Sequence, residues 1–116
     1  SSVAAIVGTV KYTEEKSPFG ETKNAKFLGY SMKDKLPIFS YATGTQMVTE
    51  RFSPLKEGSG FQRTFTVTPT PSSALVLNFT KQDGVTITSD KGTLEGTKLT
   101  IAPADAAIFT ITFTLK

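Results

Sequence analysis

The sequence predicts an all-β protein: an antiparallel, two-sheet β-sandwich of about nine short strands, with a closed barrel as the second choice. Three observations carry this reading. Thirty-two of the 116 residues are β-branched, nineteen of them Thr, and such side chains lose χ1 freedom in a helix but fit a pleated surface. Several segments alternate apolar and polar residues with a period of two, as a strand with one buried face does. Turn-forming residues recur about every eight to twelve positions, the spacing of sandwiches and barrels.

Taken in chain order, the first candidate strand is Ala4 to Tyr12, followed by Lys26 to Ser31 and Ile38 to Thr43. Lys33-Asp34-Lys35-Leu36-Pro37 between the last two suits a tight hairpin. Gln46 to Phe52 leads through the flexible Lys56-Glu57-Gly58-Ser59-Gly60 to Phe61 to Thr68, whose one face carries Phe61, Arg63, Phe65 and Val67. There the apolar positions outvote the single Arg. Thr68-Pro69-Thr70-Pro71-Ser72-Ser73 reads as a crossover between the sheets, since the remainder of the chain beyond it is too small to build its own core. Leu75 to Thr80, Val85 to Ser89 and Lys98 to Ile101 come next. The Asp-Gly steps at Asp83-Gly84 and around Asp90-Lys91-Gly92 suggest hairpins between antiparallel neighbours. Ala107 to Leu115 sets Phe109, Ile111, Phe113 and Leu115 against three Thr and is the clearest strand of all. The expected core is Ile6, Phe39, Phe65, Leu77, Ile101, Phe109, Ile111 and Phe113.

One domain accounts for residues 1–116, read as a module or fragment of a larger protein because the numbered chain opens on Ser1-Ser2-Val3. With no Cys and no His, the chain offers no thiolate, no imidazole base and no zinc site of the usual ligands. The carboxylates Glu14, Glu15, Glu50, Glu57 and Glu95 single out no acid/base pair, and Glu50 beside Arg51 is satisfied by an ordinary cross-strand ion pair. Asp83, Asp90 and Asp105 are isolated in turns and make no calcium loop. No enzyme, cofactor or metal site is expected. A net charge of +3 with both signs interspersed lacks the basic stripe of a nucleic-acid binder. Lys23, Lys26, Lys33 and Lys35 are diluted by Glu21 and Asp34. No apolar run approaches the ~18 residues of a membrane-spanning helix.

Lys26-Phe27-Leu28-Gly29-Tyr30 followed by Pro37-Ile38-Phe39-Ser40-Tyr41 has the form F-x-G-Y, turn, P-x-F-x-Y. Val48 and Glu50 continue it as V-x-E, and Arg63, Phe65 and Val67 as R-x-F-x-V. Over Lys26 to Val67 the chain thereby resembles a β-rich accessory domain of large secreted bacterial proteins that also carry sugar-dehydrogenase-like propellers and c-type cytochrome modules. Leu36 stands where that family commonly has Gly before the Pro. The resemblance implies an extracytoplasmic, periplasmic or secreted, accessory role with neighbouring domains of the parent protein or a redox partner as company. It implies no heme here, since the chain has no Cys-x-x-Cys-His.

Physically, the motif residues Phe27, Gly29, Pro37, Phe39, Arg63 and Phe65 read as structural: aromatics paired across a hairpin, with Gly29 leaving room beneath a ring. The alternative is a carbohydrate-binding module. Its ligand-binding residues would be Tyr30 and Tyr41, rings with a polar handle, provided both are exposed. The absence of Trp and the excess of nine Phe over three Tyr favour a core over a wet platform. Asn78-Phe79-Thr80 matches a glycosylation sequon but falls in an expected strand.

Overall fold

The computed structural model describes residues 26–33, 36–43, 45–56 and 59–115. They form nine strands and one short 3₁₀ turn. The strands are β1 (Lys26–Lys33), β2 (Leu36–Thr43), β3 (Gln46–Pro54), β4 (Gly60–Thr68), β5 (Leu75–Asn78), β6 (Val85–Ser89), β7 (Thr93–Glu95), β8 (Lys98–Ile101) and β9 (Ile108–Leu115). The 3₁₀ turn spans Pro103–Asp105. All pairings are antiparallel. One sheet has six strands in the order β1-β2-β3-β4-β9-β6 and the other three in the order β5-β8-β7. The architecture is therefore the expected sandwich, and the sheets do not close into a barrel. The expected strand Ala4 to Tyr12, with Ile6, lies outside the described residues. No described helix is long and apolar enough to cross a membrane.

Period-two alternation translates directly into burial. Strand β4 buries every second residue from Phe61 to Val67, and β9 buries Phe109, Ile111 and Phe113 while its Thr residues face the other way. The two strands pair Phe61 with Phe113 and Phe65 with Phe109, and the rings stack at 4.9 and 5.2 Å between centroids. From the facing sheet, Leu77, Leu99 and Ile101 close the core, with Phe79 meeting Phe113 edge-on at 5.7 Å. Each fully buried apolar side chain of this size contributes ~1.5–3 kcal/mol of transfer free energy. Of the expected core, Phe65, Leu77, Ile101, Phe109, Ile111 and Phe113 are buried, and Phe39 is partly buried against the same cluster.

Two expectations about turns are corrected. The Asp83-Gly84 and Asp90-Gly92 turns do not join paired neighbours: the first carries the chain from β5 to β6 and the second from β6 to β7, each time changing sheets. Asp-Gly supplies the positive φ that a sharp corner needs, 76° at Gly84 and 78° at Gly92, and that requirement is the same whether or not the flanking strands pair. The three-residue strand β7 was not expected at all, being too short to show a period. Pro69 to Ser73 does cross between the sheets, as expected.

Gly60 illustrates a close backbone approach. A Cβ there would overlap the Phe113 carbonyl, and Leu115 N–H donates to the Ser59 carbonyl at 2.7 Å, holding the β3–β4 loop against β9. Only glycine permits that approach.

Candidate functional site

The β1–β2 hairpin brings the resemblance residues into register: Tyr30 lies opposite Phe39, Phe27 opposite Tyr41, and Gly29 opposite Ser40. The register shifts between Phe27 and Gly29, and Gly29 has φ 130°. Space beneath a ring is not the reason for this glycine, since a Cβ would meet nothing within 4 Å. Its backbone conformation at the bulge is the reason, a region L side chains rarely adopt.

Tyr41 is only 8% exposed and belongs to the core, so half of the expected sugar platform is turned inward. Pro37 is buried. Phe39 meets Phe52 edge-on at 5.8 Å. The side chains of Phe27 and Tyr30 lie outside the described set.

The inward face of β3 and β4 carries the chemistry that sequence reasoning undervalued. Glu50 and Arg63 are both 0% exposed. Arg63 Nε donates to Glu50 Oε2 at 2.5 Å, and its Nη2 also contacts that oxygen. The guanidinium lies 5.2 Å from the ring centroids of Phe52 and Phe65 and 5.7 Å from that of Phe113, a cation–π arrangement that partly replaces lost hydration. Glu50 pairs with Phe65 across the ladder while Phe52 pairs with Arg63, so the two charges meet diagonally.

The cross-strand ion pair expected for Glu50 is present, and both of its members are buried. The partner of Glu50 is Arg63 on the neighbouring strand, while Arg51 points outward and is exposed. Residues adjacent in a strand face opposite sides, so Glu50 and Arg51 could never have shared an environment. Burial is the largest influence on the Glu50 carboxyl and raises its pKa, with the Arg63 charge, the Arg63 hydrogen bond and a hydrogen bond from Tyr41 opposing the rise. The Val-x-Glu and Arg-x-Phe spacing held the signal: a lone acid and a lone base, each on the apolar face of an alternating strand.

The arrangement can hold strands in place but offers no catalysis. A carboxylate tied to a guanidinium and sealed beneath three rings has no route to substrate. Among the described residues, no group of three acidic side chains converges as a metal site. A cleft of about 210 Å³ opens where the sheets part beside β6, lined by Lys81, Gln82, Val85, Ile87, Gly96 and Thr97. It includes none of the residues singled out from the sequence and no carboxylate. Comparison with protein-family models, with curated proteins and with solved structures gives no match for the chain.

Proposed function

We propose that the chain is a non-catalytic accessory module that docks a neighbouring domain or a redox or sugar-acting partner in an extracytoplasmic bacterial protein. One observation carries the reading. Pro37, Tyr41, Glu50, Arg63, Phe65 and Val67, which account for much of the resemblance between Lys26 and Val67, are buried. Residues used this way specify a scaffold, and a scaffold presents surfaces to partners.

The rival is independent carbohydrate binding through Tyr30 and Tyr41. Tyr41→Ala and Tyr30→Ala variants, tested on a polysaccharide panel and by thermal melting, separate the two. The scaffold reading expects no saturable glycan binding by the parent chain and a stability loss above ~2 kcal/mol for Tyr41→Ala, whose ring is buried. Saturable binding lost in both variants, with melting unchanged, would establish the rival instead. Glycosidase, esterase and dehydrogenase assays should read background, and turnover abolished by a single Asp or Glu substitution would refute the non-catalytic assignment.

A further inference from the structure

Asn78-Phe79-Thr80 is a motif that neither the core nor the accessory role absorbs. The chain has two Asn, at positions 24 and 78, and only the second is followed two residues later by Ser or Thr. The strand expected to hold the whole motif ends at Asn78, so Phe79 and Thr80 belong to the segment that leaves β5. Alternation continues through it all the same: Leu77 and Phe79 are buried, whereas Asn78 and Thr80 are exposed. Phe79 anchors the middle of the motif, its ring edge-on to Phe113 at 5.7 Å and its N–H donating to the Thr97 carbonyl at 2.9 Å. The Asn78 amide and the Thr80 hydroxyl are therefore both left to solvent, and no hydrogen bond or ion pair among the described residues engages either side chain.

The strand that leads into the motif needs cover. Among the described strands β5 pairs with β8 alone and is an edge of the three-stranded sheet. Open edges invite pairing with other chains and are ordinarily guarded by charge, Pro or a bulge. At an edge of the other sheet, β1 has Lys26, Lys33 and the bulge beside Gly29. Leu75-Val76-Leu77-Asn78 has none of these devices: it is uncharged, and its register with β8 runs unbroken. Val76 is 40% exposed and stands two residues before Asn78, on the same outward face. A bulky hydrophilic group on Asn78 would cover both that side chain and the edge.

We propose that Asn78 carries an N-linked oligosaccharide that shields Val76 and the open edge of β5. An Asn amide two residues before a Thr hydroxyl is the acceptor of this transfer, and the modification belongs on a surface. The donor class is an oligosaccharide held on a polyprenyl diphosphate. A bond forms from Asn78 Nδ2 to C1 of the reducing-end sugar, the bond from C1 to the diphosphate oxygen breaks with its electron pair staying on the diphosphate, and one amide proton passes to solvent. A sugar attached before the chain folds meets no obstacle when β5 pairs with β8, since Asn78 faces away from the core. The proposal goes beyond the accessory reading and asks of the chain only that it meet a lipid-linked donor outside the cytoplasm.

The test is tandem mass spectrometry of the full chain taken from cells that make it naturally. Most copies should carry sugar mass on the peptide that contains Asn78. Asn78→Gln and Thr80→Ala should each lose all of it, and Thr80→Ser should keep it. Asn78→Gln should melt with the parent but self-associate more strongly in sedimentation velocity, and adding Val76→Lys, which guards the edge with charge instead, should return it to the parent's behaviour. An unmodified Asn78 overturns the proposal and leaves the accessory role standing, as does sugar confined to Thr70 or Ser72 of the Pro-rich crossover. Sugar at Asn78 whose loss leaves self-association unchanged overturns the shielding of the edge.

Discussion

Replacing Arg63 by Met keeps a long, flexible side chain beneath Phe52, Phe65 and Phe113 but removes the guanidinium, leaving Glu50 fully buried with Tyr41 as its hydrogen-bond partner. Breaking a buried pair from one side costs ~3–5 kcal/mol, because the survivor can neither be solvated nor neutralised cheaply. Against a total stability of ~5–15 kcal/mol for a domain, that leaves a folded but visibly weakened protein. With a urea slope of ~1–3 kcal/mol/M, the midpoint should fall by roughly 1–5 M. The double variant Glu50→Leu with Arg63→Met removes both charges, and should lie within ~2 kcal/mol of the parent or above it. Equilibrium urea unfolding of the four proteins at neutral pH measures the cycle. A loss below ~1 kcal/mol for Arg63→Met, or a double variant weakened by the sum of both single losses, would refute the argument that the pair is sealed in the core.

The same pair fixes a pH dependence. Burial raises the Glu50 pKa above its ordinary 4.5, so the folded state holds this proton more tightly than the unfolded one. The group's stabilising contribution is then complete below about pH 4.5 and is lost as pH rises through the folded-state value. Stability of the parent relative to Glu50→Gln should therefore decline with pH from that point upward, and a rising difference would reverse the assignment. Phe65→Ala and Phe109→Ala, which dismantle a stacked and fully buried ring pair, should each cost ~3–5 kcal/mol in urea unfolding. Gly60→Ala must move backbone on β9, and thermal melting should register a loss above ~1 kcal/mol. By contrast Thr112→Val, on the outward face, should change stability by no more than ~1 kcal/mol, the net value of the Gln62 hydrogen bond it removes.

The long alternating strands were legible in the sequence because their periodicity and their burial are one pattern: β6 and β8 occupy the expected bounds, and β4 and β9 differ by one residue. What escaped reading depended on partners far along the chain. A three-residue strand such as β7 has no period and is held by pairing with β8. Asp-Gly corners look alike whether the chain folds back on itself or changes sheets, since local backbone preference does not record what the flanking strands pair with. Tyr41 shows the same limit at the candidate site. Alternation places it on one face with Phe39, but which face is buried is decided by Val48 and Val67 across the ladder. Arg63 was visible as an exception on an apolar face, and Glu50 as another, yet their meeting required the diagonal offset of β3 against β4.

Glu50 and Arg63 meet as a buried ion pair inside this sandwich. Solvent exchange of the Arg63 Nε–H proton, followed by nitrogen-edited NMR at neutral pH, measures this most directly. A proton bonded to Glu50 and enclosed by Phe52, Phe65 and Phe113 should exchange slowly, show nuclear Overhauser contacts to those ring protons, and vanish from the spectrum of Arg63→Met. An Arg63 Nε–H that exchanges with water as fast as that of Arg51, without contacts to the rings, would contradict the account.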